Sequence, residues 1–428
     1  MLTIATATGL RRAGALGAKM TGVNVPAPRE LLQRVRALPA AGPLLAHLGS
    51  ADGVSLVGGA VRDLLLGGEP RDLDLVVEVE LTEVASRLAG PVELHDRFGT
   101  ARVVLDGLRY DIARARGETY AHPGALPAVH PADLEQDLQR RDFTVNAAAI
   151  RLGGPQAGTL VAAAPALGDL DARRLRVLHD RSFIDDPTRL LRLARYVSRL
   201  AFAIEPHTRE LAAAAVHAGA MQTVSGPRIG TELALLAAEA DPVVALRSLR
   251  TLGLDEAITP GWRVRDDGLG DRALSLLAGA GDRATLALAA ALFDVPHPEL
   301  ALLLATLGLP AARRDLILDC VQRARSLARA LAAATLASEI AAAVAGAAPE
   351  VVALAGALGP SDAAAQWIGS LRHVALEIGG ADLVAAGIPP GPAVGRGLRA
   401  ALAARLDGSA CGREAELARA LQAGRDSG

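Results

Sequence analysis

Aromatic residues make up only 2% of this 428-residue sequence, and Lys19 is its one lysine. Strand-rich folds draw on aromatic and β-branched side chains, so this scarcity, beside 51% apolar content dominated by alanine and leucine, favours helices. The near-total reliance on arginine for positive charge is explained by a GC-rich genome without appeal to function. Cys320 and Cys411 are the only cysteines. They are too few for a zinc constellation or a disulfide framework and point to a reducing, cytoplasmic setting. No uncharged apolar run is long enough to span a bilayer. Net charge is −2, so any contact with nucleic acid must rest on local clusters. Residues 1–25 lack the order of charged, apolar and small segments of a secretory signal and read as a disordered extension, or as a start placed upstream of Met20.

Against that background one stretch concentrates unusual chemistry. Residues 54–57 form a short apolar run ending at Gly58-Gly59, where the backbone can turn sharply and approach a phosphate closely. A helix over 60–66 follows, closed by Gly67-Gly68. Residues 72–77 then alternate with period two, putting Leu73, Leu75 and Val77 on one sheet face and Asp72 and Asp74 on the other. Two carboxylates roughly 7 Å apart along a strand suit a pair of divalent cations bridged to phosphate oxygens. Hard oxygen ligands indicate magnesium. Arg62 and Asp63 lie between the glycines and the carboxylates.

Farther on, 100–105 and 108–113 flank Asp106-Gly107, a strong hairpin signal. A two-residue turn pairs Leu105 with Leu108, Val103 with Tyr110 and Arg102 with Asp111, so Asp111 shares the kind of face that carries Asp72 and Asp74. It is a third metal ligand or the base for an attacking hydroxyl; the plainer alternative is a cross-strand ion pair with Arg102. Residues 114–138 read as a long loop broken by proline and glycine, and 140–147 as a helix with a basic start. Asp186-Pro187 opens another helix. Along it, Arg189, Arg192, Arg195 and Arg199 form a stripe of like charges that calls for an anion, most simply phosphate.

The run GGAVRD followed by DLDL resembles the first motif of the nucleotidyltransferase superfamily, and more narrowly the bacterial and eukaryotic class of tRNA nucleotidyltransferases and poly(A) polymerases. RRDFTVNAAAI at 140–150 is close letter for letter to a second motif of that family, and DDPTR at 185–189 resembles its E-D-x-x-R motif with Asp185 in place of Glu. SGPRIGTEL at 225–233 resembles its neck motif, with Arg228 and Glu232 at intrahelical pairing distance. The resemblance implies that Arg141 and Arg192, with Gly58, Gly59 and Arg62, hold a triphosphate, and that Asp142 and Asn146 contact the ribose or order the site. Asp63 and Arg195 join this nucleotide-binding set. Asp186 and Arg189 would read the base edge: a carboxylate accepts from the exocyclic amine that C and A share, and a guanidinium donates to ring nitrogens or carbonyls.

The expected fold is an α/β nucleotidyltransferase head with a mixed sheet over 26–152, then an all-α neck over 153–235 and an all-α body and tail over 236–428 that binds RNA. The expected activity is addition of C residues, A residues or both (CCA addition or repair) from CTP and ATP to the 3′ end of tRNA, with two Mg2+ ions on Asp72 and Asp74 and no protein partner. Poly(A) synthesis, or addition of only CC or only A, is the rival within the same chemistry. Adenylylation of a small molecule or protein and non-catalytic RNA binding are the rivals outside it.

Overall fold

A computed structural model of the chain describes residues 25–425 apart from 50, 71, 89–90 and 96–98. The expected N-terminal extension, except for Val25, lies outside the described residues. The described chain divides into two compact units: residues through Gly117 with Val129–Leu178, and Glu118–Ala128 with the residues from His179 onward. The first unit therefore runs on to Leu178, past the expected boundary at 152, and lends residues 118–128 to the second.

The first unit is built on a seven-stranded sheet. Its strands are β1 (Val54–Val57), β2 (Leu73–Val77), β3 (Val92–His95), β4 (Thr100–Leu105), β5 (Leu108–Arg114), β8 (Ala148–Arg151) and β9 (Leu160–Ala162), in the order β3-β4-β5-β2-β1-β8-β9. β6 (Arg116–Thr119) and β7 (Ala128–Pro131) pair separately as a ribbon. Neighbours in the large sheet are antiparallel except β2 and β5, which are parallel and set Asp74 opposite Asp111. The hairpin keeps the expected register, and its turn residues Asp106 and Gly107 both have positive φ, 50° and 78°, as a tight two-residue turn requires. Leu56, Leu73, Leu75, Val103, Tyr110 and Ile112 are all buried, each contributing about 1.5–3 kcal/mol in lost water contact. The Tyr110 hydroxyl donates to the Ala40 carbonyl at 2.7 Å, fastening the turn between α1 (Pro28–Arg36) and α2 (Ala41–Leu48) to the sheet.

Two local expectations are corrected. Residues 114–138 are not a structureless loop: they hold the β6–β7 ribbon and a helix capped by a reciprocal Asp133–Gln136 box. The stretch 140–147 is not a helix. The helix ends at Gln139, and Thr144–Asn146 form a single 3-10 turn leading into β8. In order, the helices of this unit are α3 (Gly59–Leu65), α4 (Leu81–Arg87), α5 (Leu134–Gln139) and α6 (Ala166–Asp171).

The second unit is helical apart from short pieces. α7 (Ser182–Asp185), α8 (Thr188–Leu200), α9 (Pro206–His217) and α10 (Gly226–Ala237) come first, and further helices run from Pro242 to Arg425. α8 buries Leu190, Leu191, Leu193 and Ala194 completely. The helix Pro349–Ala357 is buried on every side, which its small and aliphatic side chains permit. No described helix is long and apolar enough to cross a membrane.

Candidate active site

One sheet face is covered where Leu134 and Leu138 of α5 pack on Val57, Val76, Ala147 and Ala149. Asp74 and Asp111 stand on this face, and both remain exposed, as does Asp72 one residue before β2 begins. A cleft of about 360 Å3, lined by Asp74, Asp111, Thr100, Arg102, Arg140 and Arg141, lies over this floor. That volume is in the range of small-ligand sites. Thinned hydration in the cleft pushes the Asp74 carboxyl above its ordinary value; Asp111 adds to this, Arg141 opposes it, and Asp72 raises it slightly further. Neither Asp72 nor Asp74 makes a hydrogen bond or ion pair with a described residue.

The plainer alternative for Asp111 is also present, since Arg102 Nε donates to its Oδ1 at 2.9 Å. Both side chains are about half exposed, so the pair adds at most about 1 kcal/mol and leaves Oδ2 open. Among the described residues, no three His, Cys, Asp or Glu side chains converge closely enough to form a ready metal cluster. The donor set still fits a hard cation: two carboxylates lie side by side on adjacent strands, a third precedes them, and their mutual repulsion is what a cation relieves.

Beside this floor is a cationic cradle. Gly58 has φ 70° and ψ −131°, open in practice only to glycine, and a Cβ there would stand 2.9 Å from Arg141 Nη1. A Cβ on Gly59 would meet Arg62 Nη2 at 3.5 Å. Two guanidinium groups therefore flank bare backbone. Arg62 is buried and fixed by donating to Asp63 Oδ1 at 2.8 Å and to Asn146 Oδ1 at 2.6 Å. Asn146 Nδ2 in turn donates to Asp142 Oδ1 at 3.0 Å, which also receives Phe143 N at 2.8 Å. Arg141 is held by Asp137, whose fully buried carboxylate lies 3.0 Å from Nη2 and also takes Arg140. Asp137 escaped the sequence reading, although its position four residues before Arg141 was the signal to look for. Asp169, also missed, accepts from Thr144 Oγ1 at 2.9 Å and Arg176 Nε at 2.8 Å, setting the turn that presents Asn146.

The remaining predicted residues belong to the second unit. Arg189 is buried, with Nη1 donating to Ser182 Oγ at 2.6 Å. Arg192 and Arg195 share Glu232 at 3.6 and 3.4 Å, and Arg199 pairs with Glu239 at 2.6 Å. Three arginines of the stripe thus meet carboxylates of their own chain. The expected Arg228–Glu232 pair does not form: Arg228 Nη2 donates instead to Asp186 Oδ1 at 2.7 Å. Burial lowers the His179 pKa, with Arg189 adding to the effect. Burial together with Glu118, which accepts from the Tyr120 hydroxyl at 2.8 Å, raises that of Tyr120.

Comparison with known proteins bears on this arrangement. The Poly A polymerase head domain model matches residues 54–176. An A-adding tRNA nucleotidyltransferase of Geobacter sulfurreducens is 44% identical over 212 residues, which are 48% of this chain and 24% of that protein. The chain spans 24 to 49% of the length of the A-adding relatives it matches. A CC-adding tRNA nucleotidyltransferase of Deinococcus radiodurans is 40% identical over 58% of this chain and 69% of its own length. The Thermotoga maritima CCA-adding enzyme, solved in complex with tRNA, superposes with a TM-score of 0.74 at 29% identity, covering 93% of this chain and 98% of that one.

Proposed function

The chain belongs to the tRNA nucleotidyltransferase family, and from that premise we propose that it extends the 3′ end of tRNA with C, A or both, drawn from CTP and ATP, and releases pyrophosphate. The observation that carries the reading is the parallel register that sets Asp74 beside Asp111 on an open face, with Arg62 and Arg141 flanking Gly58-Gly59. We assign the triphosphate to that cradle. Asp63, Asn146 and Asp137 keep its guanidinium groups extended, and Asp142 with Asn146 orders the ribose.

Asp72 and Asp74 would hold magnesium, which when bound neutralises phosphate oxygens and eases ionisation of the attacking hydroxyl. The RNA 3′-oxygen bonds to the α-phosphorus as the bond to the bridging oxygen breaks, and pyrophosphate leaves. The hydroxyl proton passes to Asp111 Oδ2, the oxygen that Arg102 leaves open. In the helical unit, Asp186 and Arg189 read the base edge. Arg192 and Arg195, which lie 3.6 and 3.4 Å from Glu232, would turn to phosphate when nucleotide is bound. Residues 236–428 would hold the RNA. We place the activity in the cytoplasm, consistent with two unlinked cysteines.

Purified protein with magnesium is tested on tRNAs ending before CCA, after C and after CC, with CTP and ATP singly and together, reading the 3′ ends at single-nucleotide resolution. Extension that stops after CCA, CC or A establishes the tRNA activity and names its extent. Long A tails would point to poly(A) synthesis, and no extension would overturn the catalytic reading.

A further inference from the structure

Three donors hold Asp186, and all three fall on one oxygen. Its Oδ1 accepts from Thr188 N at 3.1 Å, Thr188 Oγ1 at 2.7 Å and Arg228 Nη2 at 2.7 Å. No described residue donates to Oδ2. The carboxylate is therefore fixed in rotation, and it presents one oxygen only. Arg228 has a second anchor within the same unit, since its Nη1 donates to the Gly124 carbonyl at 3.0 Å. Gly124, at φ +72°, lies so close to Thr223 that a Cβ would fall 2.6 Å from the Thr223 carbonyl oxygen. The base of Arg228 is equally constrained. α10 is pressed against the 306–307 backbone through Gly226 and Gly230, where added Cβ atoms would stand 2.1 and 2.0 Å from carbonyl oxygens.

We propose that Arg228 is a positioning residue for nucleotide choice: it locks Asp186 so that Oδ2 alone faces the incoming base, and it ties that orientation to segment 118–128. The inference rests on the reading that Asp186 meets the base. A fixed acceptor favours the exocyclic amine of C or A and repels the carbonyl of U or the O6 of G, whereas a carboxylate free to rotate can turn aside and relax that discrimination. Thr188 and Arg228 act on the base only through Asp186.

The test uses the full chain, tRNA lacking its terminal nucleotides, and CTP, ATP, UTP and GTP supplied one at a time. The ratio of kcat/KM for the favoured nucleotide to that for UTP or GTP is compared across variants. Arg228→Ala is expected to lower this ratio by roughly tenfold or more, the scale of one charge-assisted hydrogen bond. Arg228→Lys, which keeps the charge but loses the fork that reaches two acceptors, should lower it as well. Thr188→Val, deleting one donor of three, should lower it less, and this variant keeps the test intact if Arg228→Ala fails to fold. Gly124→Ala should lower the ratio alone but add little in the Arg228→Ala background, because both act through one contact. An equal loss of kcat/KM for all four nucleotides, with the ratio unchanged, would overturn the inference and reduce Arg228 to a structural tie. A wild-type protein that transfers no nucleotide would overturn the functional reading on which the inference stands.

Discussion

Asp74 shows how one residue can serve function against stability. Loss of hydration and the neighbouring Asp111 raise its carboxyl pKa in the folded chain above 3.8, so the folded state binds this proton more tightly than the unfolded state does. The ionised group is therefore a cost to folding. That cost is fully present above the raised folded pKa, shrinks as pH falls from there to the unfolded value, and is gone below it. Asp74→Asn should thus keep or raise the melting temperature of the metal-free protein at pH 7, while nucleotide transfer falls at least a hundredfold, on the scale of losing an electrostatic stabiliser of the transition state. A lowered melting temperature in a metal-free thermal scan would show instead that Asp74 supports the fold. Asp137 presents the opposite case: buried and paired with both Arg140 and Arg141, it should cost about 3–5 kcal/mol when replaced by Ala, measured by denaturant unfolding. Unchanged stability would contradict the pairing.

At the scale of elements, legibility followed the range of the interactions. The hairpin was readable because its turn is set by two adjacent residues, and its register by counting outward from them. The stretch 140–147 was not, because its backbone partners are distant or compete with a helix: Thr144 N donates to the Arg176 carbonyl at 2.8 Å, and Asp142 takes the next amide with its own side chain. Arg228 offered a carboxylate four residues on, yet the tertiary partner Asp186 won. Asp72 and Asp74 could be assigned to one face by strand period and Asp111 to the same kind of face by hairpin register, whereas nothing local could reveal the β2–β5 pairing that sets Asp74 beside Asp111, or that three donors crowd one oxygen of Asp186. The turn from β1 into α3 gives a direct check. Gly58→Ala should destabilise the chain by roughly 1–3 kcal/mol through backbone strain and push Arg141 aside, raising the KM for nucleotide tenfold or more. An unaltered KM would remove Gly58 and Arg141 from the triphosphate cradle.

Across the whole molecule, a net charge of −2 on a chain with 45 basic residues means that attraction for RNA depends on where cations are left open, since many arginines are already paired with carboxylates. Even two phosphate contacts would weaken tRNA binding roughly tenfold between 50 and 200 mM salt. Fluorescence anisotropy should show this fall, and affinity independent of salt would exclude an electrostatic grip. The most direct test of the account is single-turnover transfer from α-labelled CTP and ATP to tRNA lacking its terminal nucleotides, run for the wild-type chain beside Asp72→Asn, Asp74→Asn and Asp111→Asn. The three carboxylates are predicted to be required together: label enters the tRNA 3′ end with the wild type, and each variant still binds tRNA but loses at least a hundredfold in the transfer step. Transfer that persists in all three variants, or that never occurs with the wild type, would contradict the assignment of this face as the site of nucleotidyl transfer.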